Sequence, residues 1–211
     1  IYINRGPIII NDKFNFNEIL KKISKKYLLL KGHLLIVNPF ETVQDNVTGI
    51  LKKNFYLGIK SRNYETSYID LLKDEKVLRS NLHSKWRNQL VKSENNNITI
   101  TYYDNEEKTD IILKEYKEML NKKKFIGLNT AQLKVLFKVF IKQNKLTYLI
   151  AFDNKQNIIG FTIILTFYNS AVYFIGWSNQ AGRELNVSNL LLWNSITYLK
   201  HQNYKEFDLG G

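Results

Sequence analysis

From residue 98 onward the hydrophobic period changes in a set succession, and that succession restricts the fold more than any other feature. Residues 98–103 alternate as a strand. Thr109 reads as a helix cap ahead of Ile112, Tyr116 and Leu120, spaced by four. After the run Lys122, Lys123, Lys124, Thr130 caps a second helix whose Leu133, Leu136, Phe137, Phe140 and Ile141 form one stripe. Residues 147–152, a turn over 153–157, the run 158–168, a tight Asn169-Ser170 turn and residues 171–177 predict three antiparallel strands. Asn186 or Ser188 can cap a helix carrying Leu192, Ile196 and Leu199, and 206–209 is a closing strand before Gly210 and Gly211. The order is β-α-α-β-β-β-α-β.

The first 62 residues carry a shorter series: a strand over 2–10, a helix over 16–29, a strand over 34–38 and a helix over 44–53. Strand, helix, strand there repeats the order of 171–177, the following helix and 206–209. Two copies of one fold would explain this, the first without its front strands and the second without its last helix. The expectation is therefore an internal fragment of a longer protein. A free β-α-β-α unit would leave an open sheet edge and fold poorly alone. A single irregular α+β domain is the alternative.

Hydrophobic residues at 44% supply an ample core, and no Pro- or Gly/Ser-rich linker interrupts the chain. No apolar run reaches spanning length and no leader is visible, so a cytoplasmic location is expected. The absence of Cys removes disulfides, thiolate nucleophiles and Cys-based zinc sites, and His33, His83 and His201 are widely separated, so no metal site is expected. The same scatter leaves no Ser-His-Asp or Cys-His set. Lys plus Arg exceed Asp plus Glu by 31 to 19, with 11 basic against 4 acidic residues in 1–62 and 20 against 15 in 63–211. Such a field attracts polyanions: nucleic acid, a nucleotide-linked substrate or anionic lipid. An AT-rich coding bias would produce the same excess of Lys, Asn, Ile and Tyr.

The element order is that of the N-acetyltransferase (GNAT) fold, and local motifs narrow the resemblance. They are Arg5-Gly6-Pro7 and Pro39 after successive strands, Ile69-Asp70-Leu71 before a helix bearing Lys85, Arg87 and Lys92, and a C-terminal block. That block comprises Phe174-Ile175-Gly176-Trp177-Ser178, Leu191-Leu192-Trp193 with Ile196, and Phe207-Asp208-Leu209-Gly210-Gly211. On these residues the chain resembles the Fem family of aminoacyl transferases that build peptidoglycan cross-bridges, within the GNAT-like acyltransferase superfamily. The resemblance implies an α+β fold with a mixed sheet in partial tandem. Residues 1–62 would be the C-terminal part of a first GNAT-like domain, and residues 63–211 a second one lacking its final helix.

It also implies transfer of an aminoacyl group from aminoacyl-tRNA to the stem-peptide amine of a UDP-linked or lipid-linked muropeptide, with peripheral membrane association and no cofactor. The family's Lys beyond the Asp-hydrophobic-Gly-Gly motif would fall after Gly211. Where the family commonly has Arg, this chain has Lys123 and Lys124, which would lose bidentate recognition. A Fem-like N-acyltransferase acting on an amino sugar of capsule or envelope polysaccharide, and a non-catalytic RNA- or precursor-binding module, are the alternatives. Acyl-CoA enzymes of this fold cradle pyrophosphate with a Gly-rich loop, and residues 179–188 hold only Gly182, so acyl-CoA is the less expected donor.

Read as residues, each candidate has two roles. After Asp74, Leu82, Trp86 and Leu90 recur every four residues on one helix, leaving Lys85, Asn88 and Lys92 on an adjoining face for phosphate or simply for water. The triple-lysine run can hold an anion or be a solvated loop. Period two places Tyr173, Ile175 and Trp177 on one side of a strand, to stack on a substrate ring or to pack in the core. Trp193, in a nearly all-apolar helix, is structural. Asp208 could orient an amine or accept its proton, or anchor the following turn. Gly210 allows close backbone approach or merely that turn, and Ser178 ends the same strand motif as a substrate-contact candidate.

Overall fold

The computed structural model describes residues 2–4, 15–27, 35–38, 47–54, 56–57, 66–123 and 127–210, and the chain divides into two compact units, Ile1–Asn63 and Tyr64–Gly211. Arg5-Gly6-Pro7, Pro39, Lys124 and Gly211 lie outside the described residues.

In the first unit, β1 (Tyr2–Asn4) pairs in parallel with β2 (Ile36–Asn38), and α1 (Phe16–Tyr27) lies between them in sequence. α2 (Val47–Lys53) follows. Phe16 and Leu20 are buried against Val37, Ile50, Leu51 and Tyr56, the stripe that brings α1 onto β2 and α2.

The second unit runs β3 (Tyr68–Asp70), α3 (Glu75–Ser80), α4 (Ser84–Glu94), β4 (Thr99–Tyr103), α5 (Thr109–Lys123), α6 (Thr130–Lys142), β5 (Leu146–Phe152), β6 (Ile158–Phe167), β7 (Ser170–Ser178), α7 (Gln180–Glu184), α8 (Val187–His201), β8 (Glu206–Asp208). Its sheet is mixed, ordered β3-β8-β7-β6-β5-β4, antiparallel throughout except for the parallel β7/β8 pair. The expected mixed α+β fold and the three consecutive antiparallel strands are both present.

Each face of the sheet has its own core. On one, α5 and α6 bury Ile112, Tyr116, Leu133 and Phe137 against Tyr148, Ile150, Phe161 and Ile163. On the other, α8 buries Val187, Leu191, Trp193, Ile196 and Leu199, with Leu78 of α3 and Leu90 of α4 joining the same cluster. Because α8 packs on β5 and β6 and also on α4, it is apolar around most of its circumference.

The helix starts differ from expectation where a neighbouring Asn competes better for the cap. Asn129, not Thr130, caps α6, in a reciprocal box with Gln132. Asn105 caps a 3-10 turn, Glu106–Lys108, ahead of α5, and Thr109 is buried with its hydroxyl 3.1 Å from that of Tyr148. The helix expected after Asp74 is broken in two at residues 81–83. In one straight helix Leu78 and Leu90 would point about 120° apart, and the break aims both into one core. The β6–β7 turn is Tyr168-Asn169 rather than Asn169-Ser170.

Candidate functional site

Strand β7 pairs with β6 along its whole length, from Phe167↔Ser170 to Gly160↔Ser178. Its other edge pairs with β8 only at Ser170↔Glu206, Ala171↔Phe207 and Val172↔Asp208. The pairing stops at Val172, where β8 ends, and the hydrogen bonds that follow keep the next residues of the chain from continuing it. The Leu209 N–H donates to the Ser67 carbonyl on the β3 side, at 2.9 Å. Asp208 Oδ1 accepts from the Gly210 N–H at 2.8 Å and from the Thr66 hydroxyl. The end of β8 is thus turned towards β3 and into its own tight turn, with Gly210 at φ 76°. Residues 173–178 of β7 are left with an edge that β8 does not cover. Such a splay between parallel strands offers backbone donors and acceptors to an extended ligand.

Asp208 is 6% exposed and held by two donors on one oxygen, the geometry of a carboxylate that fixes a turn. Gly210 sits beside it, where a Cβ would lie 3.6 Å from the Tyr173 carbonyl oxygen across the splay. Asp208, Gly210 and Tyr173 therefore meet at one point.

The even alternation expected for β7 is interrupted. Ile163 pairs with Ile175 and Ile164 with Tyr173, so Phe174 is an extra residue in a bulge. The bulge reverses the faces. Tyr173 packs with the α8-side core, whereas Ile175 and Trp177 pack with the α5/α6-side core. Tyr173 and Trp177 consequently cannot form one aromatic shelf. Trp177 stacks on Phe161, ring centroids 5.2 Å apart, and serves the core. Tyr173 lies along its own strand: a Cβ on Gly176 would sit 1.6 Å from the Tyr173 hydroxyl, so a side chain there would have to push the phenol aside. Burial raises the Tyr173 pKa, partly offset by a hydrogen bond with Thr162, so the phenol stays protonated at neutral pH. Thr162 escaped the sequence reading, although one hydroxyl inside the run Phe161-Thr162-Ile163-Ile164 is a legible signal.

Residues 179–188, the segment that corresponds to the Gly-rich loop of acyl-CoA enzymes, contain α7. Asn179 caps it through the Gly182 N–H, and Arg183 donates to the Ser178 carbonyl at 2.9 Å. A Cβ on Gly182 would meet the Ile159 carbonyl oxygen at 2.1 Å, so this glycine seats α7 on β6. The Ser178 hydroxyl lies 3.5 Å from that of Ser188.

The basic candidates lie elsewhere on the unit. Lys85 and Lys92 are exposed on α4, and Lys123 is exposed in the last turn of α5, not in a loop. Among the described residues none of the three has a side-chain partner. Arg87 donates to the Ser80 carbonyl at 3.0 Å, closing the end of α3 across the helix break. Trp193 is buried beneath the Arg79 guanidinium, which also grips Glu94. Among the described residues, no group of His, Asp and Glu could hold a metal ion, and no helix is long and apolar enough to cross a membrane.

No protein-family model and no curated protein matches the sequence. Solved structures do. FemX aligns over 100% of this chain and 71% of its own, with a TM-score of 0.81 at 12% identity. L-PGS from Bacillus licheniformis covers 92% of this chain and 55% of its own (TM-score 0.53, 15% identity). A tandem GNAT protein from the clavulanic acid biosynthesis pathway covers 84% and 55% (TM-score 0.52, 11% identity). At these identities the likeness establishes architecture: the chain has the GNAT-like fold, in the form found in FemX.

Proposed function

We propose that this chain belongs to a Fem-like aminoacyl transferase, moving an aminoacyl group from aminoacyl-tRNA to the stem-peptide amine of a peptidoglycan precursor. The observation that carries this reading is the likeness to FemX over the entire chain. The motifs ending in Asp208-Leu209-Gly210-Gly211 and the splay between β7 and β8 support it. In the reaction the amine nitrogen attacks the ester carbonyl, a C–N bond forms and the C–O bond to the tRNA breaks. The amine proton is lost, and the tRNA leaves with its hydroxyl restored. Alignment of the two reactants can supply about 7–11 kcal/mol of the barrier without a strong acid or base.

On this reading Asp208, held by Thr66 and Gly210, orients the incoming amine at the mouth of the splay. Tyr173, Ser178 and Gly210 line the extended substrate's path, with Trp177 shaping it from the core. Lys85, Arg87, Lys92, Lys123 and Lys124 supply positive charge to tRNA and to the nucleotide- or lipid-linked precursor. No cofactor takes part, and the work is done in the cytoplasm at the membrane's inner face.

Residues 1–62 would be the C-terminal part of a first GNAT-like domain and 63–211 a second. The parallel β1/β2 pair, linked through α1, supports this, since it has the same strand-helix-strand form as β7, α8 and β8. The likeness to a tandem GNAT protein favours one second reading, an acyl-CoA-dependent N-acyltransferase acting on an envelope amino sugar.

Incubation with a pool of tRNAs charged with labelled amino acids and a UDP-linked muropeptide, followed by mass spectrometry, separates these readings. The expected product is heavier by one aminoacyl residue and disappears when the tRNA is uncharged. Failure with every charged tRNA, alongside acylation of an amino sugar from an acyl-CoA pool, would replace the first reading by the second. Binding without any transfer would leave a non-catalytic module.

A further inference from the structure

Between Glu118 and Asp153 the sequence contains no acidic residue and seven lysines. α6 occupies the middle of this stretch. At 100° per residue, Lys134, Lys138, Lys142, Val135 and Val139 fall within one arc of about 140°, opposite Leu133 and Phe137 in the core. Its apolar members are not hidden: Val135 is 64% and Val139 46% exposed. The surface continues past the end of the helix. Phe140 meets Phe167 edge to face with centroids 5.7 Å apart, and Phe167 leads into the β6–β7 turn. That turn holds Tyr168 at φ 51° and 96% exposed. Lys145 lies between the two, its N–H on the Phe140 carbonyl and its carbonyl on the Thr166 N–H. The acidic neighbour is Asp110, 3.5 Å from Lys134 in an exposed pair that water and salt weaken.

The geometry points to this face, the outer arc of α6 with the Tyr168 turn, as a docking surface for an anionic lipid bilayer. Lysines in a row attract acidic headgroups, and two valines and a tyrosine beside them enter the headgroup layer where an apolar side chain is stabilised. RNA would satisfy the charge but leaves the valines without a role, and the stretch lacks the arginines that grip phosphate with a planar fork. The surface rests on the same membrane setting as the proposed function, but vesicle binding and acyl transfer are read in separate assays and fail separately.

Co-sedimentation of the chain with vesicles of phosphatidylcholine, alone or mixed with phosphatidylglycerol, tests it. Binding to the mixed vesicles only, falling as salt is raised, is expected. The triple variant K134E/K138E/K142E should lower partitioning about a hundredfold. V135S/V139S/Y168S should lower it roughly tenfold at unchanged charge. All these positions are exposed, so thermal melts should be unaltered; if the charge reversals destabilise the fold, Lys→Gln changes at the same positions serve instead. No sedimentation with mixed vesicles, equal sedimentation with both types, or binding that neither variant weakens would overturn the proposal. So would loss with the lysine variant alone, together with displacement of the vesicles by RNA, which would make the face a polyanion site.

Discussion

Along its β6 edge strand β7 is paired from Ser170 to Ser178, whereas along its β8 edge pairing stops at Val172. Among the described residues, one strand is thus paired along the whole of one side, its closed side, and along only part of the other, its open side. The closed side is sealed by side chains as well as backbone: Trp177 stacks on Phe161, and α7 sits on Ile159 through Gly182. On the open side the next strand ends early, because the Leu209 N–H and the Asp208 carboxylate are committed to Ser67, Thr66 and Gly210. Ligand-accessible backbone in such a sheet arises where a strand's own end groups draw it away from its neighbour.

If the closed side carries the stability, the largest effect should come from Gly182→Ala. Its Cβ would press on the Ile159 carbonyl, which as backbone cannot swing aside, and a loss of about 3 kcal/mol in urea unfolding is expected. A negligible loss would mean that α7 does not seal β6.

Alkaline unfolding probes the same antiparallel block. Burial pushes the Tyr148 hydroxyl up from 10 to about 12, against a lowering contribution from Thr109. A raised folded pKa favours the protonated form, so this stability is complete below pH 10 and is lost as pH rises towards 12. Unfolding free energy should fall across that window by about 2–3 kcal/mol on this tyrosine's account. Tyr148→Phe should flatten the slope, and an unchanged slope would place its cause elsewhere.

On the open side Asp208→Ala leaves the Gly210 N–H and the Thr66 hydroxyl without their acceptor, for about 2 kcal/mol. Asp208→Asn keeps an acceptor and should cost less. Transfer surviving in the Asn variant would make Asp208 an anchor of the turn, while transfer lost in a fully folded Asn variant would assign its charge to the chemistry.

The smallest effect concerns the bulge. Gly176→Ala displaces only the far end of Tyr173, a change of about 1 kcal/mol, and should be close to neutral in a Tyr173→Ala background. Additive losses would show that the glycine serves the backbone and not the phenol.

Strands β4 to β8 and helices α5, α6 and α8 were legible because each buries a stripe or a face of period 3.6 or 2, whereas β3, three residues long, was not. What escaped were features whose cause lies in a neighbour. The break between α3 and α4 is invisible in the stripe Leu82, Trp86 and Leu90, since that stripe does bury and only the joint placement of Leu78 and Leu90 demands the break. α7 has too few residues to show a period. Of the candidate site, Asp208, Gly210 and Tyr173 converge, whereas Trp177 is turned away by one inserted residue and Arg87 is taken up by a helix end.

The order of the longer elements from residue 98 onward, the mixed α+β class and the positive charge of the chain follow from local pattern and composition, because burying an apolar face is a property each segment carries by itself. Which backbone is left open, which way Tyr173 points and which oxygen of Asp208 is occupied were decided only by tertiary structure. Those depend on the register between strands, and a single bulged residue at Phe174 reverses every face beyond it while leaving the sequence's alternation unchanged.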